Sequence, residues 1–508
     1  MVKKVKSMGI YGMNAFAVDV ETDISRGMPT FDIVGMPDTS IKESRGRVRS
    51  AIINCGFEFP LRHIVVNLAP ADVKKAGSVY DLPILVSILN ASGALKCDIT
   101  DSAFIGELSL SGDVRPVNGV LPMAIKAREC GIKKFFVPAE NASEGAVFEG
   151  IEIYPVSHVT ELIMHLRNTK PIQPMIHHKP SAEALIYDFD ISDVKGQYTA
   201  KRALEIAACG GHNMLMIGSP GTGKSMLAKR LPTILPDMTF NEMIETTKIH
   251  SIAGILPADT PLVTHRPFRA PHHTVSSVGL SGGGTIPHPG EISIAHNGVL
   301  FLDELPEFNK NAMEILRQPL EDGSVTISRA NATLTYPCSI MLIAAMNPCP
   351  CGYFGHPTIE CTCSTQAVSK YLSRISGPLL DRLDLHIEVP PVDFESLSSA
   401  ESSESSAEIK KRVDRVRAIQ NERYKDTSIT CNARITPSAT NKFCPMDDNA
   451  KGIMQRSFDS LGLSARAYDK ILKVSRTIAD MDSSEVIKSN HLLEAIRYRS
   501  LDRKYWKR

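Results

Sequence analysis

The sequence lacks any long apolar run. No stretch approaches 18 apolar residues without a charge, so we expect no membrane-spanning helix. The basic residues at the start of the chain are not followed by an apolar core long enough for a secretory signal peptide. We therefore expect a cytoplasmic location, where the 11 cysteines are interpreted as buried thiols or metal ligands and not as disulfides.

Net charge is also almost absent, at +1, but its distribution is uneven. Residues 408–508 contain 22 Lys and Arg against 13 Asp and Glu, and the remaining residues therefore carry a net charge of −8. A basic C-terminal segment is typical of a nucleic-acid partner and equally of a solvated helical surface. The segment ends in a basic tail, which comprises Arg497, Arg499, Arg503, Lys504, Lys507 and Arg508.

The length of 508 residues predicts at least three structural units. The patterns predict a multidomain α/β protein with an α/β domain over 1–168, a linker over 169–187, a second α/β domain over 188–394, a flexible Ser- and Glu-rich linker over 395–406 and a helical domain over 407–508. In the first domain, short apolar runs predict strands over Ile64–Leu68 and Lys134–Val137. Between them, Asp81–Leu89 predicts a buried helix entered through a proline.

A phosphate-binding loop stands early in the second α/β domain. The pattern G-x-x-x-x-G-K-[ST] follows the strand-like run Met214–Ile217, precedes a helix and comprises Gly218, Ser219, Pro220, Gly221, Thr222, Gly223, Lys224 and Ser225. Glycines let backbone amides curl around phosphate oxygens at a helix N-terminus. Lys224 would then reach the β- and γ-phosphates, and the Ser225 hydroxyl would bind Mg²⁺.

A second apolar run, Gly298–Leu302, ends in two acids. Asp303 is placed to hold Mg²⁺ through its water shell, and Glu304 to polarise an attacking water molecule. Together with the phosphate loop, this pair predicts an enzyme that hydrolyses ATP with Mg²⁺ as cofactor.

The order of the remaining motifs resembles that of AAA+ ATPases. The run Ile340–Met346 ends in Asn347, the position of a sensor 1 residue that helps to place the lytic water. Arg382 is a candidate arginine finger acting in trans from a neighbouring subunit, with Arg374 as a rival, and Arg466 is a candidate sensor 2 residue. A finger in trans predicts a homo-oligomeric ring.

Four cysteines lie within 15 residues, as two C-x-C pairs: Cys349, Cys351, Cys361 and Cys363. Two close thiolate pairs separated by a short polar loop suit tetrahedral Zn²⁺, which favours sulfur ligands. We interpret residues 349–363 as a structural zinc clip near a subunit interface. The alternatives are four unrelated free thiols or a site in which His356 replaces one cysteine.

Two segments are candidates for DNA contact. One is the Gly-, Pro- and His-rich stretch between the two nucleotide motifs, and the other is a predicted hairpin over Glu321–Arg329 with Asp322-Gly323 at its turn. Their candidate phosphate contacts are Arg329, Arg266, Arg269, His272 and His273. The alternative for each is a structural role.

Taken in order, these segments resemble one family, the Mg-chelatase-like AAA+ ATPases of the ComM (competence protein) and YifB type, over essentially the whole chain. The segments that carry the resemblance are Asp193–Gln197, Ala208–Asn213, Phe268–Thr274, Pro289–Ser293, Phe301–Glu307, Met346–Gly352 and Ser376–Asp384. The resemblance implies a central AAA+ domain with a C-terminal helical lid, and it places Val194 and Gln197 near the adenine.

The first domain resembles the Lon-type protease fold, through Phe104–Gly119 and Gly131–Pro138. A Lon-type protease needs a serine activated by a lysine. In this sequence Val79 stands at the serine's position, next to Ser78, and Leu121 stands at the lysine's. The domain is therefore predicted to be a non-proteolytic binding or assembly module.

The resemblance implies a ring motor, a hexamer, that acts on single-stranded or branched DNA as a helicase or branch-migration factor in natural transformation or recombination. Two alternatives remain open. One is the motor of an ATP-driven magnesium insertion into a porphyrin, and the other is a protein-remodelling ATPase.

Overall fold

The computed structural model describes residues 2–177, 187–258, 260–284, 287–329, 332–392, 403–499, 501 and 505–506, without the side chains of residues 329 and 332. Contacts divide the chain into two compact units: Met1–Glu183 with Phe240–Thr264, and Ala184–Thr239 with His265–Arg508. Parts of both predicted linkers lie outside the described residues, as do Arg503, Lys504, Lys507 and Arg508 of the basic tail. The three-domain division stays a prediction.

The first unit contains a seven-stranded sheet of order β3-β4-β2-β1-β5-β8-β9, in which β2 is antiparallel to β1 and β4 and the other pairs are parallel. Its strands are β1 (Lys3–Tyr11), β2 (Asn14–Ser25), β3 (Thr30–Val34), β4 (His63–Ala69), β5 (Ser102–Phe104), β8 (Lys134–Pro138) and β9 (Glu152–Val156), and β6 (Glu107–Leu108) pairs separately with β7 (Val114–Arg115). The helices of this unit are α1 (Thr39–Asn54), α2 (Asp81–Ser92), α3 (Val120–Glu129), α4 (Ala142–Gly145), α5 (Val159–Leu166) and, from farther along the chain, α8 (Phe240–Ala253), with a 3-10 turn over Ala139–Asn141.

Hydrophobic patterning explains these elements. Ile64, Val66 and Leu68 alternate on the buried face of β4. The helix α2 has a proline in its first turn and ends at Gly93, which adopts the left-handed conformation that favours glycine. The mixed α/β fold predicted for this part of the chain is confirmed.

The segment Phe240–Thr264 packs within the first unit although it lies between the two nucleotide motifs in sequence. Ile244 and Leu262 join an apolar cluster with Leu121. The Ser251 hydroxyl donates to Glu144, whose carboxylate also accepts from the backbone N–H of Leu121 at 2.7 Å, at the start of α3. The domain predicted over 188–394 is thus interrupted by a segment that shares its core with the first unit.

The second unit contains a five-stranded parallel sheet of order β11-β14-β17-β10-β18. Its strands are β10 (Met214–Ile217), β11 (Phe268–Arg269), β14 (Val299–Leu302), β17 (Met341–Met346) and β18 (Leu385–Glu388). Every residue of β10, β14 and β17 is buried, as continuous apolar runs in a parallel sheet predict. Because these strands are neighbours and parallel, the residues that follow them meet at one edge.

The helices of the second unit before residue 390 are α6 (Tyr198–Gly210), α7 (Lys224–Arg230), α9 (Ser277–Ser281), α10 (Glu291–Ile294), α11 (Lys310–Ile315), α12 (Arg317–Asp322), α13 (Thr365–Leu372) and α14 (Gly377–Leu380), with 3-10 turns over Ile191–Asp193, Leu231–Ile234 and Leu305–Glu307. The C-terminal part is helical, as predicted, with α15 (Ser406–Tyr424), α16 (Pro437–Phe443), α17 (Asp448–Leu461), α18 (Ala465–Met481), α19 (Ser489–Arg497) and a 3-10 turn over Asn432–Arg434. Among the helices that the structure describes, none is long and apolar enough to cross a membrane.

A buried cluster of charged and polar side chains links α18 to the sheet. Asp384 is 2% exposed and lies 2.5 Å from the Lys470 amine and 3.0 Å from the His212 ring. Burial by itself raises the pKa of Asp384, but Lys470 and His212 hold that pKa well below its usual range. Because a buried unpaired carboxylate is costly, the position of α18 is tied to that of the chain just before β18.

The hairpin predicted over Glu321–Arg329 is displaced by several residues. Asp322 ends α12 and Gly323 is its left-handed C-cap, with φ 65°. The hairpin pairs β15 (Ser324–Arg329) with β16 (Ala332–Pro337), with Arg329 opposite Ala332, and residues 330–331 lie outside the described part of the chain. The Asp-Gly pair therefore caps a helix, and the prediction that it forms the hairpin turn was wrong.

Two very short strands, β12 (Gly282–Gly283) and β13 (His288–Pro289), pair antiparallel with each other. A side chain at Gly282 would meet the backbone oxygen of His288 at 2.3 Å, so this pairing needs glycine.

Candidate nucleotide-binding site

The ends of β10, β14 and β17 surround a cavity of about 390 Å³. It is lined by the phosphate loop, the two acids and the polar residue predicted from sequence, namely Pro220, Gly221, Thr222, Gly223, Lys224, Ser225, Met226, Asp303, Glu304, Met346 and Asn347. The structure thus brings together groups that are far apart in sequence, at the edge of the sheet where parallel strands present their carboxyl ends.

The phosphate loop turns through two left-handed glycines, Gly221 (φ 80°) and Gly223 (φ 87°), before Lys224 begins α7. A side chain at Gly218 would lie 2.4 Å from the Val389 backbone oxygen, so the start of the loop also needs glycine. The helix N-terminus faces the cavity with its unpaired N–H groups, which favours an anion.

Lys224 is held inside this loop. The residue is 8% exposed. Its amine donates to the carbonyls of Gly218 (2.7 Å) and Ser219 (2.9 Å) and to Asn347 Oδ1 (3.3 Å). Burial lowers the pKa of Lys224, and the carboxylates of Asp303 and Glu304 act in the opposite direction. Phosphate oxygens would supply the counter-charge that a buried ammonium lacks.

The residues predicted to hold Mg²⁺ are adjacent. The Ser225 hydroxyl donates to Asp303 Oδ2 at 2.5 Å, so a neutral oxygen and a carboxylate oxygen share one corner of the cavity. Oxygen donors of this kind are those that Mg²⁺ prefers. The donor set therefore fits the ion that the motifs imply.

Gln197 contacts the phosphate loop from the other side. It adopts φ 55°, and its side-chain amide donates to Pro390 O (2.6 Å) and more weakly to Thr222 O (3.4 Å). Its side-chain oxygen is buried with no hydrogen-bond partner among the described residues. With buried Val194 nearby in sequence, it offers an apolar surface and a free acceptor, a combination that suits a purine base.

Glu304 has an unusual backbone conformation for a residue with a side chain, φ 53° and ψ 45°. Non-glycine residues in this region are strained, and such strain is concentrated at functional sites. The carboxylate is 55% exposed, and its oxygen lies 3.4 Å from His273 Nδ1.

Sequence reasoning placed His273 among the DNA-contact candidates and missed this contact. The pairing of β11 with β14 explains the contact. Arg269 is opposite Leu300, and His273 and Glu304 each lie four residues further along the two paired segments. Only the pairing of the two strands reveals the correspondence, since 31 residues separate the two side chains.

The two arginine-finger candidates differ in exposure. Arg374 is 48% exposed as a side chain and pairs with Glu307 at 2.7 Å. Arg382 is 16% exposed, pairs with Glu321, and donates to the backbone oxygens of Arg317 (3.0 Å) and Pro378 (2.7 Å).

The sensor 2 candidate is Arg466, in the helical C-terminal part of the second unit. Arg466 is exposed in the first turn of α18. The roles of all three arginines stay predictions.

Among the arginine candidates for DNA contact, Arg266 and Arg269 both have intramolecular partners. Arg266 donates to the backbone oxygens of Pro236 (2.7 Å) and Asn297 (2.8 Å). Arg269 forms a two-pronged ion pair with Glu291 at 2.7 and 2.8 Å. The side chain of Arg329 lies outside the described residues. DNA contact by these arginines therefore stays a prediction.

The four cysteines form one cluster in which all sulfur atoms lie within 4.8 Å of one another. The Cys349 sulfur is 3.3 Å from that of Cys351 and 3.7 Å from that of Cys361. Tetrahedral zinc with Zn–S bonds of about 2.3 Å separates its sulfur ligands by about 3.8 Å, so the cluster fits this ion.

The cysteine loop also contacts the phosphate loop. A side chain at Gly352 would lie 2.5 Å from Pro220 Cδ, which shows how closely Gly352 packs against the proline ring. The predicted metal clip thus lies against the nucleotide site. Its relation to a subunit interface stays a prediction.

The Lon-like positions contain no catalytic pair. Val79 and Leu121 occupy the positions of the serine and lysine, and Leu121 is fully buried in an apolar cluster. The neighbouring Ser78 hydroxyl donates to Glu107. A carboxylate partner does not provide the lysine base that a Lon-type serine requires.

The parallel sheet, the phosphate loop after β10 and the two acids after β14 define a P-loop ATPase of the AAA+ type. Family models agree, matching "Magnesium chelatase, subunit ChlI" at residues 190–397, "Subunit ChlI of Mg-chelatase" at 20–141 and "Magnesium chelatase, subunit ChlI C-terminal" at 403–499. The chain belongs to the ComM/YifB family of Mg-chelatase-like AAA+ ATPases, which confirms the resemblance inferred from its motifs.

Two relatives of similar length illustrate this membership, and a third protein is similar to part of the chain only. The chain is 42% identical to protein YifB of Escherichia coli (strain K12) over 502 residues, and 42% identical to competence protein ComM of Haemophilus influenzae over 509 residues. Each alignment covers 98% of this chain and 97% of the relative. Lon protease of Brucella suis is 32% identical over 163 residues, which cover 29% of this chain and 20% of that protein.

We predict that His273→Ala lowers kcat for ATP hydrolysis by about tenfold with little change in KM, because Glu304 loses a neighbour that orients its carboxylate. Steady-state ATPase assays measure both constants. His272→Ala is the matched control, since His272 is exposed and hydrogen-bonds Thr274. Equal effects of the two substitutions, or a change in KM alone, would contradict this role for His273.

We also predict about one zinc ion per chain in protein purified without chelators, measured by elemental analysis. Cys361→Ser/Cys363→Ser should lose the ion and weaken ATP binding, because the cysteine loop supports Pro220. Cys130→Ser, at an exposed thiol in the first unit, should change neither. Zinc-free wild-type protein, or an unchanged metal content in the double variant, would rule out the clip.

Proposed function

We propose that this protein is a ring-forming ATPase motor that acts on DNA, as a helicase or branch-migration factor in natural transformation or recombination. The observation that carries the proposal is the 42% identity to competence protein ComM over nearly the whole of both chains. The described groups around the nucleotide cavity support an ATP-driven role, and the basic C-terminal segment supports a nucleic-acid partner.

In this proposal ATP and Mg²⁺ bind at the cavity, with Lys224 at the β- and γ-phosphates and Gln197 and Val194 at the adenine. The ion held by Ser225 and Asp303 would neutralise charge on the phosphate oxygens. Glu304 polarises the attacking water, and Asn347 orients it.

The charge of the cavity supports the proposal of a ring. Lys224 is the only basic residue among those that line it, whereas phosphoryl transfer is accelerated strongly by a second cation at the γ-phosphate. A neighbouring subunit would supply that cation. The greater exposure of Arg374 favours it over Arg382 as the finger. A hexamer is the assembly that we expect, with Arg466 reaching the nucleotide from the lid.

DNA contact is proposed for the hairpin of β15 and β16, in which Arg329 is the last residue of β15. Arg266 and Arg269 rank below it because both side chains already have intramolecular partners. ATP turnover would move such hairpins along a strand threaded through the ring.

We predict that DNA stimulates ATP hydrolysis several-fold, with single-stranded or four-way-junction DNA acting best and the stimulation falling steeply with salt. Glu304→Gln should abolish turnover while ATP binding persists. The assay compares protein alone with each DNA and with protoporphyrin. Turnover that no DNA changes would contradict the motor, and stimulation by protoporphyrin alone would favour magnesium insertion. If neither DNA nor protoporphyrin changed turnover, protein remodelling would be the remaining alternative.

A further inference from the structure

The first unit carries an open groove of about 530 Å³ that the nucleotide chemistry does not use. Its walls are the start of β3, the exposed face of α1 and the segment Phe59–Arg62 that leads into β4. We call it the basic groove, after the charged side chains that line it: Lys42, Arg45, Arg49 and Arg62, with Glu43 as the only acid among its lining residues.

The positive charge is local. Residues 1–177 contain 19 basic and 19 acidic side chains, so this part of the chain has no net excess of its own. Lys42, Arg45 and Arg49 recur at spacings of three and four on α1 and therefore share one face of the helix. Arg47, on another face, pairs instead with buried Asp81 at 2.6 Å.

Most of these cations are open to solvent. Lys42, Arg49 and Arg62 are exposed. Arg45 is also exposed, although its guanidinium donates to the backbone oxygens of Lys42 (3.1 Å) and Phe31 (3.3 Å) and forms a loose ion pair with Asp32 at 3.7 Å. From Lys42 to Arg49 the helix rises about 10 Å, at about 1.5 Å per residue. The charge is thus spread over more length than a single phosphate group occupies.

Two aromatic rings lie among these cations. The rings of Phe31 and Phe59 are 5.8 Å apart, tilted by 50°, and only partly buried. The Arg49 guanidinium lies 5.6 Å from the centre of the Phe59 ring. Leu61, beside them in the groove lining, is 76% exposed.

A basic groove interleaved with aromatic faces is the arrangement that binds single-stranded nucleic acid, because phosphates pair with the cations and unstacked bases stack on the rings. An acidic peptide would use the cations and leave the rings without a role. A regular duplex would keep its bases stacked on one another, out of reach of the two aromatic rings.

We infer that the basic groove is a second nucleic-acid site, which binds a single strand with phosphates at Lys42, Arg45 and Arg62 and bases at Phe31 and Phe59. The preference for DNA over RNA rests on the proposed function. A strand held here would lie on the Lon-like domain, so this domain would serve as a binding module in place of a protease.

The test uses the full-length protein and a fluorescent oligothymidylate of about 20 nucleotides, longer than one site of this type requires. Lys42→Glu/Arg62→Glu should weaken binding at least tenfold and reduce the slope of log affinity against log salt by about 1.4, at about 0.7 per lost phosphate contact. Lys96→Glu/Lys170→Glu is the matched control, because it makes the same charge change at exposed lysines outside the groove. Equal loss in both variants would overturn the inference.

Photocross-linking locates the strand directly. With bromodeoxyuridine in the oligonucleotide, cross-linked peptides should contain Phe31 or Phe59, and the groove variant should lose them while its basal ATP hydrolysis is unchanged. Cross-links confined to residues 265–338 would contradict the groove.

Comparison probes define the ligand. An abasic strand and polyglutamate should bind at least tenfold more weakly than oligothymidylate, and equal binding by either would contradict base stacking. Binding of oligouridylate without binding of oligothymidylate would overturn the preference for DNA.

The two proposals fail separately. Cross-links at the groove without DNA-stimulated ATP turnover would support the groove and contradict the motor. DNA-stimulated ATP turnover without cross-links at the groove would support the motor and contradict the groove.

Discussion

The nucleotide site depends on one buried positive charge. The Lys224 ammonium lies among peptide carbonyls of its own loop, out of water, and burial lowers its pKa. A charge in such a position is retained only where partners satisfy it, and the phosphate loop, Asn347 and the two acids all converge on it. Three adjacent parallel strands make this convergence geometrically inevitable, since each delivers one of these groups at its carboxyl end.

Other parts of the second unit pack against the same sheet or against the phosphate loop. Asp384, buried with Lys470 and His212, ties the helical lid to the chain that enters β18, the strand beside β10. Gly352 brings the cysteine loop against Pro220 of the phosphate loop. The buried ion pair thus holds the helical lid against the sheet, and the cysteine loop packs against the Pro220 ring.

Much of this site could be predicted from sequence, because each strand is a continuous apolar run that ends in its functional residue. What the sequence could not reveal came from pairing and packing. His273 reaches Glu304 only because β11 lies beside β14. Asp322-Gly323 resembles a hairpin turn but caps a helix, since the apolar pattern before it continues as α12. The segment Phe240–Thr264 packs with the first unit through a buried hydroxyl–carboxylate bond that no local pattern indicates. The basic groove needs residues from three separate elements.

The most direct test of the account is the affinity for Mg²⁺-ATP of Lys224→Ala compared with Lys229→Ala, measured by calorimetry. Both lysines lie on α7, but Lys229 is exposed and does not line the cavity. The account predicts at least a hundredfold loss of affinity for Lys224→Ala, since a charge-assisted contact to phosphate is worth about 1.5–3 kcal/mol and the loop also loses its internal bonds. Lys229→Ala should bind as the unaltered protein does. Equal affinities for the two variants would contradict a nucleotide site built around Lys224.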